Sequence, residues 1–379
     1  VGGEVKKARN KGGKEADLNS RERIAATLEH RLPDRVPMAE LWIDPGVAKA
    51  LCGVADGNAL AEAIGLDMVC VQTMVYADSE VEWVDRERRV FRDKWGALQI
   101  APHGGVPVPL APAPVETPED LAAYKPPDPA KSPVLEKLRR LKAKYPNGEK
   151  AICLVAESGW APAVYLRGGL EHLLLDFALR PEFVKDLMKI GAAYHAELAG
   201  LAAKAGADVV LLGDDYSDKN GPLVSPRQFE EIVLPADTQV VGAVKKAGLY
   251  CIKHTDGDIR KLLDMLVGTG LDCLGPLEPV PGMELAPILE KYRGRLSVMG
   301  NINVDLLSRG SMEEVVRETK RALATVSAMG PHILSSANTI TQSVKPENYA
   351  AMVKTARECG RYPVDRGRLL SEAGRGSER

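Results

Sequence analysis

Short, β-branched apolar runs recur along this chain, and stretches of helical length and periodicity separate nearly all of them. Runs at residues 36–41, 68–73, 151–156, 208–212, 250–254, 271–274, 296–299 and 333–335 give eight predicted strands. Strict alternation of strand and helix demands a parallel sheet with crossover helices, and eight such units predict a closed (β/α)8 TIM barrel over residues 20–363. An open doubly wound sheet would carry a glycine-rich phosphate turn after its first strand. The string GGLEH at Gly168–His172 lies in a helical run and lacks that spacing.

Several runs end abruptly in titratable residues. ADVVLLGDD closes on Asp214 and Asp215, GLYCIKHTDGD on His254, Asp256 and Asp258, and LDCLGPLEP delivers Glu278. Glu157 follows AICLVA, with Trp160 nearby as a candidate apolar wall, and Asn301 and Asn303 follow LSVMG. Barrel enzymes gather their chemistry at the C-terminal ends of their strands, so these residues are expected to meet in one mouth although they are far apart in sequence. Adjacent side chains point in different directions. One of Asp214 and Asp215 is therefore expected to face the mouth while the other caps the following loop. Asp256 is expected to orient His254 or to join it on a metal.

The rhythm breaks between residues 75 and 115. VEWVDRERRVFRDKWGALQI alternates on either side of a charged turn at Arg86–Arg88 and predicts a hairpin, and a proline-rich loop follows it. Residues 1–19 are glycine- and lysine-rich and are expected to be disordered. Residues 364–379 read as a flexible tail in which Leu369 and Leu370 offer a small docking contact. A net charge of −2 over 379 residues leaves no electrostatic footprint for nucleic acid or an anionic membrane, and no apolar run reaches bilayer-spanning length. Six cysteines without a CxxC pair fit a reducing, cytoplasmic setting.

With the barrel in view, RERIAATLEHRLPDRVP, ESGWAPAVYLRGGLEHLLLDFALRPEFVKDLM, HTDGDIRKLLDMLVGTGLDCLGPLEP, MGNINVDLLSRGSMEEV and HILSSANTITQSVKPENYAAMV resemble, in order, segments of the uroporphyrinogen decarboxylase superfamily. The resemblance places an active-site tyrosine at or near Tyr165. Decarboxylases of this group carry an arginine-rich MRQAGR motif near the first strand to grip the substrate's carboxylates, whereas this chain has MAELWIDP, with Glu40 and Asp44. Acidic side chains cannot pair with a polycarboxylate. The decarboxylase aspartate falls near Gln72 and Thr73, and its late histidine falls on Asn338. Porphyrinogen decarboxylation is therefore not expected.

The superfamily's other large branch consists of corrinoid-dependent methyltransferases. The resemblance to it implies demethylation of a small methoxylated compound, methoxyaromatics among them, with the methyl group passed to a corrinoid on a carrier protein. It also implies a homodimer. The thiol-methylating members build a zinc site on His-x-Cys plus a later cysteine. Here the string is His254-Thr255-Asp256, and the late position lies among Ser335, Ser336 and Ala337. The alternatives are a methylcorrinoid:acceptor methyltransferase, with folate or thiol as acceptor, and a related protein of other or lost activity. In the demethylase reading, His254, Asp214, Asp215, Asp256, Glu157 and Tyr165 are the catalytic candidates. Glu278, Asn301, Asn303, Trp160 and Asn338 are the substrate-binding ones. Zinc would take His254 and Asp256, or else Asp67, Glu82 and His103, whose intervals of fourteen and twenty residues resemble a zinc pattern of aromatic O-demethylases.

Overall fold

The computed structural model describes residues 17–73, 81–101 and 107–374. Seven parallel strands form one curled sheet: β1 (Met68–Gln72), β6 (Ala151–Ala156), β7 (Val209–Leu212), β10 (Tyr250–Lys253), β11 (Cys273–Leu274), β12 (Ser297–Ile302) and β13 (His332–Ser336), paired in that order. The expected eighth strand, at residues 36–41, is an irregular segment that closes the ring. Met38 bridges Leu334 of β13 in parallel, and on its other side its carbonyl accepts from Asp67 N at 2.7 Å. Pro37 removes one backbone donor there, which explains why the segment makes bridges instead of a full ladder.

Side chains alternate between two apolar layers, as strand geometry requires. Met68, Cys153, Val155, Val209, Leu211, Ile252, Cys273, Met299 and Ile333 fill the barrel interior, and Ile24 and Leu28 of the helix Ser20–Leu28 plug its lower end. Their neighbours Leu154, Val210, Leu212, Cys251, Leu274 and Val298 face outward into the helical shell. Asn19 caps the first helix through a reciprocal box with Glu22.

The excursion is larger than a hairpin. β2 (Val81–Asp85), β3 (Val90–Asp93), β4 (Leu98–Ile100) and β5 (Val108–Leu110) form a four-stranded antiparallel sheet, so part of the proline loop is itself a strand. The helical run that holds GGLEH is broken at Gly168 and Gly169, both at positive φ, into Trp160–Leu166 and Leu170–Leu179. The tail also departs from expectation. Arg366–Gly374 is a helix with Leu369 fully buried and Lys320 paired to Glu372 at 2.7 Å, so one apolar anchor and an ion pair dock it. The remaining short strands, β8 (Ser217–Asp218) and β9 (Gly221–Pro222), belong to the loop after β7.

Candidate active site

Extending the interior-facing alternation past the strand ends predicts which residues line the mouth. From Val155 it leads to Glu157, from Leu211 to Asp215, from Ile252 to His254 and Asp256, from Met299 to Asn301, and from Ile333 to Ser335. Asp214 and Lys253 fall on the opposite face.

Asp215, His254 and Asp256 converge. One ligand atom from each lies within 4.8 Å of the other two. His254 is buried, and its Nδ1 sits 2.7 Å from the carbonyl of Pro276. A carbonyl only accepts, so Nδ1 carries a hydrogen and Nε2 faces outward, offering a lone pair to a ligand when the ring is neutral. That lone pair looks at Asp215 Oδ1 at 3.7 Å and Asp256 Oδ1 at 3.9 Å, both too long for hydrogen bonds.

Asp256 is held from two sides. Its backbone N–H donates to Asp215 Oδ1 at 2.9 Å, and Asn338 Nδ2 donates to its Oδ2 at 2.5 Å. Its Oδ1 is buried and has no hydrogen-bond partner among the described residues. Burial pushes its carboxyl up to about 6, against the pull of His254, and the negative charges of Asp215 and Glu278 push the same way. The HTDG turn carries this geometry. Gly257 takes φ +81°, and a Cβ there would meet the Asp218 carbonyl oxygen at 2.5 Å.

Three electron-rich atoms facing one point without a shared proton suit a cation. Ligand atoms about 2 Å from a zinc ion lie roughly 3–4 Å from one another, which matches the 3.7 and 3.9 Å separations of His254 Nε2 from the two carboxylates. The side chain of Asp215 is half exposed, whereas His254 is buried and Asp256 is largely so, and solvent therefore reaches the cluster from the Asp215 side.

Glu157 forms a second element. It is fully buried, accepts from Tyr165 OH at 2.7 Å through Oε1, and has no partner for Oε2 among the described residues. Burial is the largest cause holding its carboxyl up at about 8, and Lys94 opposes the shift. It is therefore a protonated acid at neutral pH.

The remaining candidates divide. Asp214 caps the turn after β6, accepting from Ser158 N at 2.6 Å and Ala161 N at 2.8 Å, so Asp215 takes the mouth-facing place. Asn303 caps the helix Val304–Arg309 through Asp305 N at 2.7 Å, and Asn301 is half-buried on the interior face. Trp160 is no pocket wall. It is buried in the helical shell against Phe177 and Tyr216, 5.6 and 5.7 Å between ring centres. Glu278 stands on the rim, 3.8 Å from Lys219.

Asp67 is not free to hold a metal with Glu82 and His103. Asp67 lies at the opposite end of β1, and both of its oxygens are taken, by Arg23 at 2.7 Å, by Arg35 at 2.8 and 2.9 Å, and by Met38 N at 2.9 Å. Glu82 is exposed on the antiparallel sheet, and His103 lies outside the described residues. Sequence reasoning passed over Lys253, Tyr216 and Asp237. The signal for Lys253 was legible: a lysine inside the otherwise apolar run LYCIK.

Fold and mouth together define a TIM-barrel protein with an acid- and histidine-lined site at its strand ends. The model of the family Uroporphyrinogen decarboxylase (URO-D) matches residues 97–359, and the chain belongs to that family. Among curated relatives, a protein of Geotalea daltonii named uroporphyrinogen decarboxylase is 27% identical over 177 residues, covering 46% of this chain and 48% of its own length. The chain thus spans about half of that relative. A protein of the same name from Syntrophotalea carbinolica is 25% identical over 258 residues, covering 65% of this chain and 71% of its own. Among solved structures, a methyltransferase from Methanosarcina mazei superposes with a TM-score of 0.71 at 18% identity, over 90% of this chain and 99% of the other, and so shares the fold.

Proposed function

We propose that this protein is a methyltransferase that demethylates a small methoxylated compound, methoxyaromatics included, and passes the methyl group to a corrinoid on a separate carrier protein. The observation that carries this reading is the open Asp215–His254–Asp256 cluster, flanked on the same sheet by a protonated, under-bonded Glu157. In this reading Asp215, His254 Nε2 and Asp256 Oδ1 hold a zinc ion, which supplies Lewis acidity toward the substrate's ether oxygen. The carbonyl of Pro276 and the amide of Asn338 orient two of those ligands from behind.

Ether cleavage breaks the bond between methyl carbon and oxygen. The methyl group leaves for the carrier's corrinoid, and the oxygen departs as an alkoxide or phenoxide that needs a proton. Glu157 supplies it from Oε2, while Tyr165 holds Oε1 in place. Asn301 and Glu278 border the substrate, and an open mouth admits the carrier. The protein works in the cytoplasm as a homodimer whose mouths stay accessible. No helix among the described residues is long and apolar enough to cross a membrane.

The test is anaerobic methyl transfer from a panel of methoxylated compounds to Co(I) cobalamin, free or carrier-bound, followed by the corrinoid spectrum. His254→Ala is expected to lower turnover by about a hundredfold or more, and Glu157→Gln by about a hundredfold. Full turnover in both variants, or decarboxylation of uroporphyrinogen by the wild type, would overturn the reading.

A further inference from the structure

Behind the mouth lies a buried polar cluster that the proposed chemistry does not use. Lys253 is 1% exposed, although it sits in β10 beside His254. Its ammonium donates to the backbone carbonyl of Asp214 at 2.8 Å, lies 3.8 Å from Asp214 Oδ2, and stands 4.3 Å from the centre of the Tyr216 ring. Tyr216 OH donates to Asp237, 2.8 and 2.7 Å from its two oxygens, and Ser158 Oγ reaches the same carboxylate at 2.5 Å. Tyr216 N in turn donates to Thr255 Oγ1 at 3.1 Å.

Two of these bonds tie one mouth-bearing segment to another, and Asp237, on the shell helix Leu234–Lys246, holds Tyr216 from behind. The Lys253 bond joins the residue before His254 to the residue before Asp215. The Tyr216 bond joins the residue after Asp215 to the residue between His254 and Asp256. The cluster therefore brackets the cation-facing side chains in sequence and fixes the two loops against each other. A buried ammonium is costly unless its partners are in place, so the arrangement has little freedom to relax.

We infer that Lys253 is a positioning residue, which sets the distance between Asp215 and the His254–Asp256 pair so that all three can share one divalent cation. The inference rests on the metal-holding reading of that cluster. An interior lysine that only filled space would not need to grip the one loop that carries the opposing ligand.

The experiment measures zinc affinity by competition with a chromophoric chelator, alongside thermal stability. It compares the wild type, Lys253→Met, Asp237→Asn and a matched control, Asp176→Asn. Asp176 is a buried carboxylate paired with Arg167 and Arg180 in the helical shell, so its loss destabilises the fold without touching the mouth loops. The expected result is one zinc per chain in the wild type, affinity at least tenfold weaker in Lys253→Met, and unchanged affinity in Asp176→Asn despite a lower melting temperature. Asp237→Asn keeps the shape of the cluster. It is expected to lose affinity in the same direction, and it decides the matter if Lys253→Met does not fold. Wild-type affinity in the Lys253 and Asp237 variants would overturn the positioning role while leaving the metal reading intact. No zinc binding by the wild type would overturn both.

Discussion

Asp214 and Asp215 are neighbours in the chain and opposites in circumstance. Asp214 lies behind the strand ends, is 1% exposed, and has its oxygens taken by two backbone N–H groups with the Lys253 ammonium close by. Asp215 lies on the mouth side with a half-exposed side chain, facing a histidine lone pair that it cannot hydrogen-bond. The same contrast recurs at other strand ends: on the back face Asp214 and Glu40 have both oxygens bonded, whereas on the mouth face Asp256 and Glu157 each keep one buried oxygen without a partner among the described residues. Saturation builds a scaffold. Unsatisfied acceptors at the mouth are where the proposed cation would sit.

The contrast makes the largest expected effect one of stability. Asp214→Ala removes a helix cap and leaves a buried ammonium without its carboxylate, so it should cost about 3–5 kcal/mol in a denaturant titration. Asp215→Ala should change stability by less than about 1 kcal/mol and remove zinc binding instead. Equal stability losses in the two variants would break the comparison.

A second effect is read by pH and appears on both faces. Glu40 belongs to the back face, where Ser336 donates to it from N at 3.0 Å and from Oγ at 2.6 Å, and burial is the largest cause raising its carboxyl from 4.5 to about 8. A raised acid is protonated in the folded chain while it is ionised in the unfolded one. Its contribution is therefore fully present below about 4.5 and is lost as pH rises toward about 8. Each pH unit crossed in that window should cost about 1.4 kcal/mol from Glu40, and Glu157 adds a parallel term. Glu40→Gln should flatten its share of the slope in melts taken from pH 5 to pH 8. An unchanged slope would show that this carboxyl is ionised when folded.

Much of this architecture was legible in the sequence, for identifiable reasons. Apolar runs such as AICLVA and DVVLL are strands because both faces of a parallel barrel sheet are buried, and their lengths and order fixed the ring. The segment at residues 36–41 kept its place but lost its regularity, since Pro37 cannot complete a ladder. The mouth was legible wherever period two continued past a strand end, as with His254 and Glu157. Position alone misled at Asn303, whose side chain found a local donor and caps a helix, and at Trp160, which packs into the shell against Phe177 and Tyr216. Nothing in the linear sequence showed that the carbonyl of Pro276 would orient His254, because the two meet only when β10 and β11 lie side by side. The Asp67, Glu82 and His103 spacing failed for a related reason. Intervals in sequence do not report which end of a strand a residue occupies, and Asp67 precedes β1 where a mouth ligand must follow it.

The central claim is that Asp215, His254 and Asp256 meet to hold one divalent cation at the mouth. Diffraction from crystals grown with stoichiometric zinc, collected on either side of the zinc absorption edge, tests it directly. The account predicts a single strong anomalous peak within about 2.2 Å of His254 Nε2 and of an oxygen of each aspartate, with at least one position open toward the mouth. A peak held by other residues, or none while His254 Nε2 keeps its present surroundings, would contradict it.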